Sequence, residues 1–138
     1  MPATEVLLPE DISPASLQAL YNDAGLQTEI DSDGDLVVSK GVTCYAIPTQ
    51  HRDHIILLAF LGTKDDADRD QKLAFANLVN NQLATVRARV NQKQRVVFDY
   101  HIPVEGGITG DAIVAATRFF LQATAHAVSQ CDEAGIVR

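Results

Sequence analysis

Residues 29–37 read EIDSDGDLV, with aspartate at 31, 33 and 35 and glycine at 34. This stretch decides the fold, because it is either a calcium loop or the turn of a β-hairpin. An EF-hand loop beginning at Asp31 needs glycine at its sixth position and a bidentate glutamate at its twelfth. Those positions hold Leu36 and Val42, and the glycine, Gly34, falls two places early. Asp33-Gly34 is a favoured hairpin pair, since both residue types tolerate positive φ, and its flanks have strand character. The stretch is therefore read as a hairpin turn.

Working outward, Ser13-Pro14 supplies a cap and then the residue best tolerated at a first helical position, with Gly25 as a stop. A helix is expected from Pro14 to Ala24, its core stripe formed by Leu17, Leu20, Tyr21 and Ala24. LQTEI, DLVVSK, VTCYAIP and HIILLAFLG follow as strands. Gly41 is either a turn or a bulge within one long strand, so three or four strands are expected here. His54 to Gly62 is apolar nearly throughout, the pattern of a central strand covered on both faces.

Downstream, TKDDADRDQK offers Asp65 and Asp66 as caps for a helix from Asp66 to Leu83. Leu73, Asn80 and Leu83 lie along one stripe of it. TVRARVN and RVVFDYHIP form a second hairpin around NQKQ, with Val86, Ala88 and Val90 inward, Arg87 and Arg89 outward, and Val96, Phe98, Tyr100 and Ile102 on one face. Thr109 or Asp111 caps a last helix that reaches Gln130. Its polar ridge is only Arg118, Gln122 and His126, so either a close-packed sheet or a subunit interface covers the rest. The order α-β-β-β-(β)-α-β-β-α with hairpin-length connections gives an α+β class: an antiparallel sheet with helices packed on it.

The totals narrow the function. The chain has 138 residues, which one domain spanning 1–138 accommodates with a substantial core. Eighteen acids against eleven bases give a net charge of −7, which opposes non-specific phosphate binding, so nucleic acid is not the expected partner. No Lys or Arg precedes Lys40, and that segment is acidic. Cys44 and Cys131 stand outside any short-spaced ligand pattern and are expected as free thiols. The start, MPATEVLLPEDISP, lacks a basic segment followed by an apolar one, and Ile55 to Leu61 is too short to span a bilayer. A cytoplasmic protein without a membrane partner is expected.

Few residues suggest chemistry. His51 and His54 lack the further ligands a metal site requires, which leaves a solvated loop. His101 or His126 beside Cys44, Cys131 or Asp99 would make a small enzyme or ligand site, if the fold joined them in a cleft. Gly106-Gly107 is either a strand-to-helix corner or a small anion nest. Asn77 and Asn80 are amides expected to tether a neighbouring strand or loop. Arg87, Arg89, Lys93 and Arg95 are concentrated on one hairpin of an acidic chain; they are a solvated edge or a docking patch for an acidic partner segment.

DSDGDLVV after a first helix, FANLVNNQ in the middle helix, and VVFDYHIPVEGGIT running into a closing helix with ATRFF resemble the YbjN-like family of bacterial sensory transduction regulators. The resemblance covers most of the chain. It departs from the family pattern at Leu78-Val79, where an aromatic is expected, and at NQKQ, which replaces an acidic glycine turn. It implies a fold like that of the type III secretion chaperones, a homodimer, and a protein-binding role in regulation, stress response or effector handling. A dedicated chaperone for a secreted effector is the alternative. The family implies no catalytic residue, no metal or cofactor is expected from the residues, and Asn77, Asn80, Gly106 and Gly107 match the family's recurring positions, with an architectural role implied.

Overall fold

The computed structural model describes residues 5–138. Residues 1–4, part of the start read for leader features, lie outside the described residues. A two-residue strand β1 (Val6–Leu7) leads through a short 3-10 turn to α1 (Pro14–Asp23). Then come β2 (Gln27–Ile30), β3 (Leu36–Lys40), β4 (Val42–Pro48) and β5 (His54–Leu61). After α2 (Arg69–Gln82) follow β6 (Arg87–Val90), β7 (Val96–Pro103), the short β8 (Ile108–Thr109) and α3 (Gly110–Cys131). β1 pairs with β8, and the other strands form one antiparallel sheet in the order β2-β3-β4-β5-β7-β6. The α+β class and the antiparallel sheet are as read from the sequence.

Gly41 is a turn: Lys40 and Val42 on either side of it are paired, so β3 and β4 are separate strands. The middle helix starts later than expected. Asp68, not Asp65 or Asp66, is its cap, because its carboxylate accepts from the Gln71 N–H while the Gln71 side chain accepts from the Asp68 N–H. The stripe it buries is Phe75, Ala76 and Val79, and Leu73 is exposed. Thr109 caps α3 by accepting from the Ala112 N–H.

All three helices pack on one face of the sheet. Leu36, Val38, Cys44, Ala46, Ile55, Leu57, Phe98 and Ile102 point into that layer and are buried. There they meet Leu17 and Tyr21 of α1, Phe75 and Val79 of α2, and Ile113 and Phe120 of α3. Phe75 stacks on Phe98 with ring centroids 6.1 Å apart. Buried hydroxyls are satisfied locally: Thr117 and Thr124 donate to the carbonyls four residues back, and the Tyr21 hydroxyl lies 2.8 Å from Thr117 Oγ1.

β5 is central, but it is covered on one face only. Ile55, Leu57 and Ala59 are buried, while the alternating Ile56, Leu58 and Phe60 are half-buried on the opposite, helix-free face. The expected double cover is absent among the described residues. An uninterrupted apolar run reports that both faces avoid water, and it does not say what covers the second.

Candidate functional site: the helix-free sheet face and its basic hairpin

The register lays one row of side chains across the helix-free face: Glu29, Val37, Tyr45, Leu58, Asp99, Arg87, each opposite the next. The row begins acidic at edge strand β2, is apolar in the middle, and ends on a charge pair at edge strand β6. Neighbouring rows add Ile47 and Ile56 on one side, and Phe60, Val97 and Arg89 on the other. Tyr45 meets Phe60 edge-to-face at 6.2 Å, so two aromatics brace the centre. An apolar part of the sheet face, or a groove beside the helices, is the recognition surface the sequence suggested, but which side chains form the stripe was not legible in it. The stripe's signal was the same run in β5 that suggested two covered faces.

At the β6 end the four cations separate into two kinds. Arg87 clamps Asp99 through two hydrogen bonds of 2.9 and 2.8 Å, and Arg89 adds a third at 3.2 Å. The Asp99 side chain is 4% exposed. Desolvation by burial pushes its carboxyl up, but the hydrogen bonds and charges of the two arginines outweigh this and hold it below the ordinary aspartate value. Arg87 and Arg89 are thus the counter-charge of a buried carboxylate. Lys93 and Arg95 belong to none of the ion pairs among the described residues. The Arg95 guanidinium lies 4.7 Å over the Phe60 ring, a cation–π contact joining the charge to the apolar stripe. Phe60, Arg89, Lys93 and Arg95 line an open groove of ≈ 630 Å³.

The turn that presents these cations repeats the DSDGD turn bond for bond. Asp31 Oδ1 accepts from the N–H groups of Asp33 and Asp35, and Asn91 Oδ1 accepts from those of Lys93 and Arg95. Each turn is closed by the same backbone pair, Asp31 with Asp35 and Asn91 with Arg95. Only the fourth residue of each takes positive φ: Gly34 at +84° and Gln94 at +62°. Asp33 does not, so the first hairpin is not built on two left-handed residues as the sequence suggested. Asp31, by capping two N–H groups, does the work assigned to Asp33. Gln94 is held from α2, where Arg69 donates to its side-chain oxygen and Lys72 to its carbonyl.

Asn80 pairs with the outer edge of β6: its amide donates to the Ala88 carbonyl at 2.9 Å and accepts from the Ala88 N–H at 2.8 Å. Asn77 is exposed and lines a separate depression between α2 and the C-terminal segment. Gly106 and Gly107 turn the chain from β7 to β8. At Gly107, with φ +99°, a Cβ would lie 2.8 Å from Val6 Cγ1, so the corner needs glycine for β1 to dock.

The thiols and imidazoles are not brought into one cleft. Cys44 faces the helical layer, and burial pushes its thiol up to about 12. His54 and His101 are near each other on the opposite face, with ring centroids 6.0 Å apart. Cys131 is buried near Gln82, its thiol also raised by desolvation, and His126 is exposed. Among the described residues no helix is long and apolar enough to cross a membrane.

Fold and face together define a small α+β protein with one helical layer and one uncovered, partly apolar sheet surface. The chain belongs to the YbjN family, described as "putative bacterial sensory transduction regulator", which it matches over residues 13–133. Among solved structures it is similar to YbjN from E. coli, titled a "putative transcription regulator". That likeness has a TM-score of 0.78 at 13% identity and covers 97% of this chain and 99% of that one. It is also similar to the Yersinia pestis type III secretion chaperone SycH, whose structure is a complex with a stable fragment of YscM2. The TM-score there is 0.49 at 11% identity, over 82% of this chain and 98% of that one. A search of the curated proteins found no match.

Proposed function

We propose that this protein is a non-enzymatic regulator or adaptor of the cytoplasm that works as a homodimer and captures another protein on its helix-free sheet face. The observation that carries the reading is the row from Glu29 to Arg87: an apolar centre bordered by Lys93 and Arg95, two cations outside any described ion pair. Such a surface suits an extended or helical partner segment that combines apolar anchors with acidic residues. The net charge of −7 disfavours a nucleic-acid backbone as the ligand of so small a basic patch. Buried, unpaired Cys44 and Cys131 suit a reducing compartment, and the buried thiol of Cys44 is no nucleophile. The exposed side of α3 beyond Asp111, with Ala112, Ala115 and half-exposed Phe119, is largely apolar and supports self-association.

The test is affinity capture from native cells, with mass spectrometry of what is retained. Arg87 and Arg89 are poor choices for charge reversal, because that would strand Asp99. The informative variants are Lys93→Glu with Arg95→Glu on the groove and Ile56→Asp on the stripe, with Lys64→Glu as a distant control. Loss of one reproducible partner in the first two, but not in the control, is the expected result. Retention of that partner in both overturns the reading.

A further inference from the structure

A second site lies on the helical side, where α3 passes the β3–β4 turn and the end of α1. Lys40, Val42, Arg118, Leu121, Gln122 and Ala125 line a cavity of ≈ 290 Å³ there. No acidic side chain lines it, although the chain carries eighteen acids. Arg118 is half-buried, and its Nη2 donates to the carbonyl of Ala24, which caps α1. Its Nε is buried and has no acceptor. Neither Arg118 nor Lys40 belongs to an ion pair among the described residues. A partly desolvated guanidinium without a counter-charge is costly, and an anion arriving beside it offsets that cost.

We infer that this cavity binds a small monocarboxylate with a short apolar body, its carboxylate between Lys40 and Arg118 and its tail against Val42, Leu121 and Ala125. The lining has the composition of a small-molecule pocket, mostly apolar with a few convergent polar groups. The Gln122 amide is available as a further donor. The volume suits a ligand of a few carbons, and two cations beside an apolar wall select a carboxylate over a neutral analogue. A ligand there would tie α3 to the β3–β4 turn and, through Arg118, to the end of α1. The site is separate from the sheet face proposed for partner capture and does not rest on it.

The experiment is calorimetric titration of the full chain with hexanoate and with 1-hexanol, alongside amide-resonance mapping. Expected are saturable hexanoate binding, shifts concentrated at Gly41 and Gln122, and affinity at least tenfold lower both for 1-hexanol and in Lys40→Gln. Arg118→Lys should also weaken binding, since it keeps the charge but loses the planar fork. If that variant does not fold, Lys40→Gln and the hexanol comparison still decide. Absence of saturation, equal affinity for the alcohol, or unchanged affinity in Lys40→Gln overturns the proposal. So does binding of a peptide with a free C-terminal carboxylate where hexanoate does not bind, which would make the site a protein-terminus receptor.

Discussion

Arg87 and Asp99 face each other across the β6–β7 ladder, the guanidinium forking onto both carboxylate oxygens of a residue whose side chain is 4% exposed. Because Arg89 also reaches Asp99, removing Arg87 leaves the buried carboxylate with one partner. Arg87→Ala is expected to destabilise by about 1–3 kcal/mol, the range for stranding a buried polar group. Urea unfolding measures it, and a loss below about 0.5 kcal/mol would assign the carboxylate mainly to Arg89.

The same pair sets a pH dependence. The folded carboxyl of Asp99 titrates below its unfolded value of about 3.9. Its contribution is therefore complete above about pH 4 and is lost as pH falls through the depressed folded value. Unfolding midpoints between pH 2 and pH 6 should show a shallower acid loss in Asp99→Asn than in the unaltered protein.

Asn80 occupies the outer edge of β6 where another strand would pair. Asn80→Ala frees both the N–H and the carbonyl of Ala88, and should cost about 1–2 kcal/mol. Faster amide exchange at Ala88 and a tendency to self-associate should accompany it, since an unpaired edge is a template for further strands. Asn80→Asp, which accepts but cannot donate, should restore the N–H bond and not the other.

The two matched turns give a paired test. Gly34 has no neighbour within 4 Å of a Cβ, so Gly34→Ala measures backbone strain alone and should cost about 1 kcal/mol. Gln94 already bears that strain, partly offset by its bonds to Arg69 and Lys72. Gln94→Gly should lie between neutral and about 1 kcal/mol stabilising. Equal and opposite effects in the two turns would show that φ alone decides, whereas a net cost for Gln94→Gly would show that the contacts from α2 outweigh it.

Cys44 should resist thiol reagents at pH 8 until the protein unfolds, because its folded thiol is pushed up to about 12. As that value lies above the unfolded one of about 8.5, stability is unaffected below pH 8 and falls as pH rises beyond it. Cys44→Ala should reduce the alkaline slope. Labelling rates measured with and without urea check the first expectation.

The sequence by itself determined the class and the main elements, though not the short paired strands β1 and β8. Local rules suffice where a residue acts on its own backbone: Ser13-Pro14 starts α1 and Gly34 closes the first hairpin, whereas Thr109 and Asp111 were alternatives for the α3 cap until the Ala112 N–H bond to Thr109 separated them. The alternation in β6 placed Ala88 inward and the arginines outward. Three acids compete to cap α2, and the reciprocal bond with Gln71 makes Asp68 the cap in place of the expected Asp65 or Asp66. The tertiary structure decided what those elements do together. Register alone put Asp99 opposite Arg87, and so divided one basic cluster into two structural arginines and two cations outside any ion pair. It also brought Lys40 and Arg118, far apart in the chain, to one acid-free cavity. Patterning reports whether a side chain avoids water, but charges become a pair, a patch or a pocket only through distance, which the folded chain sets.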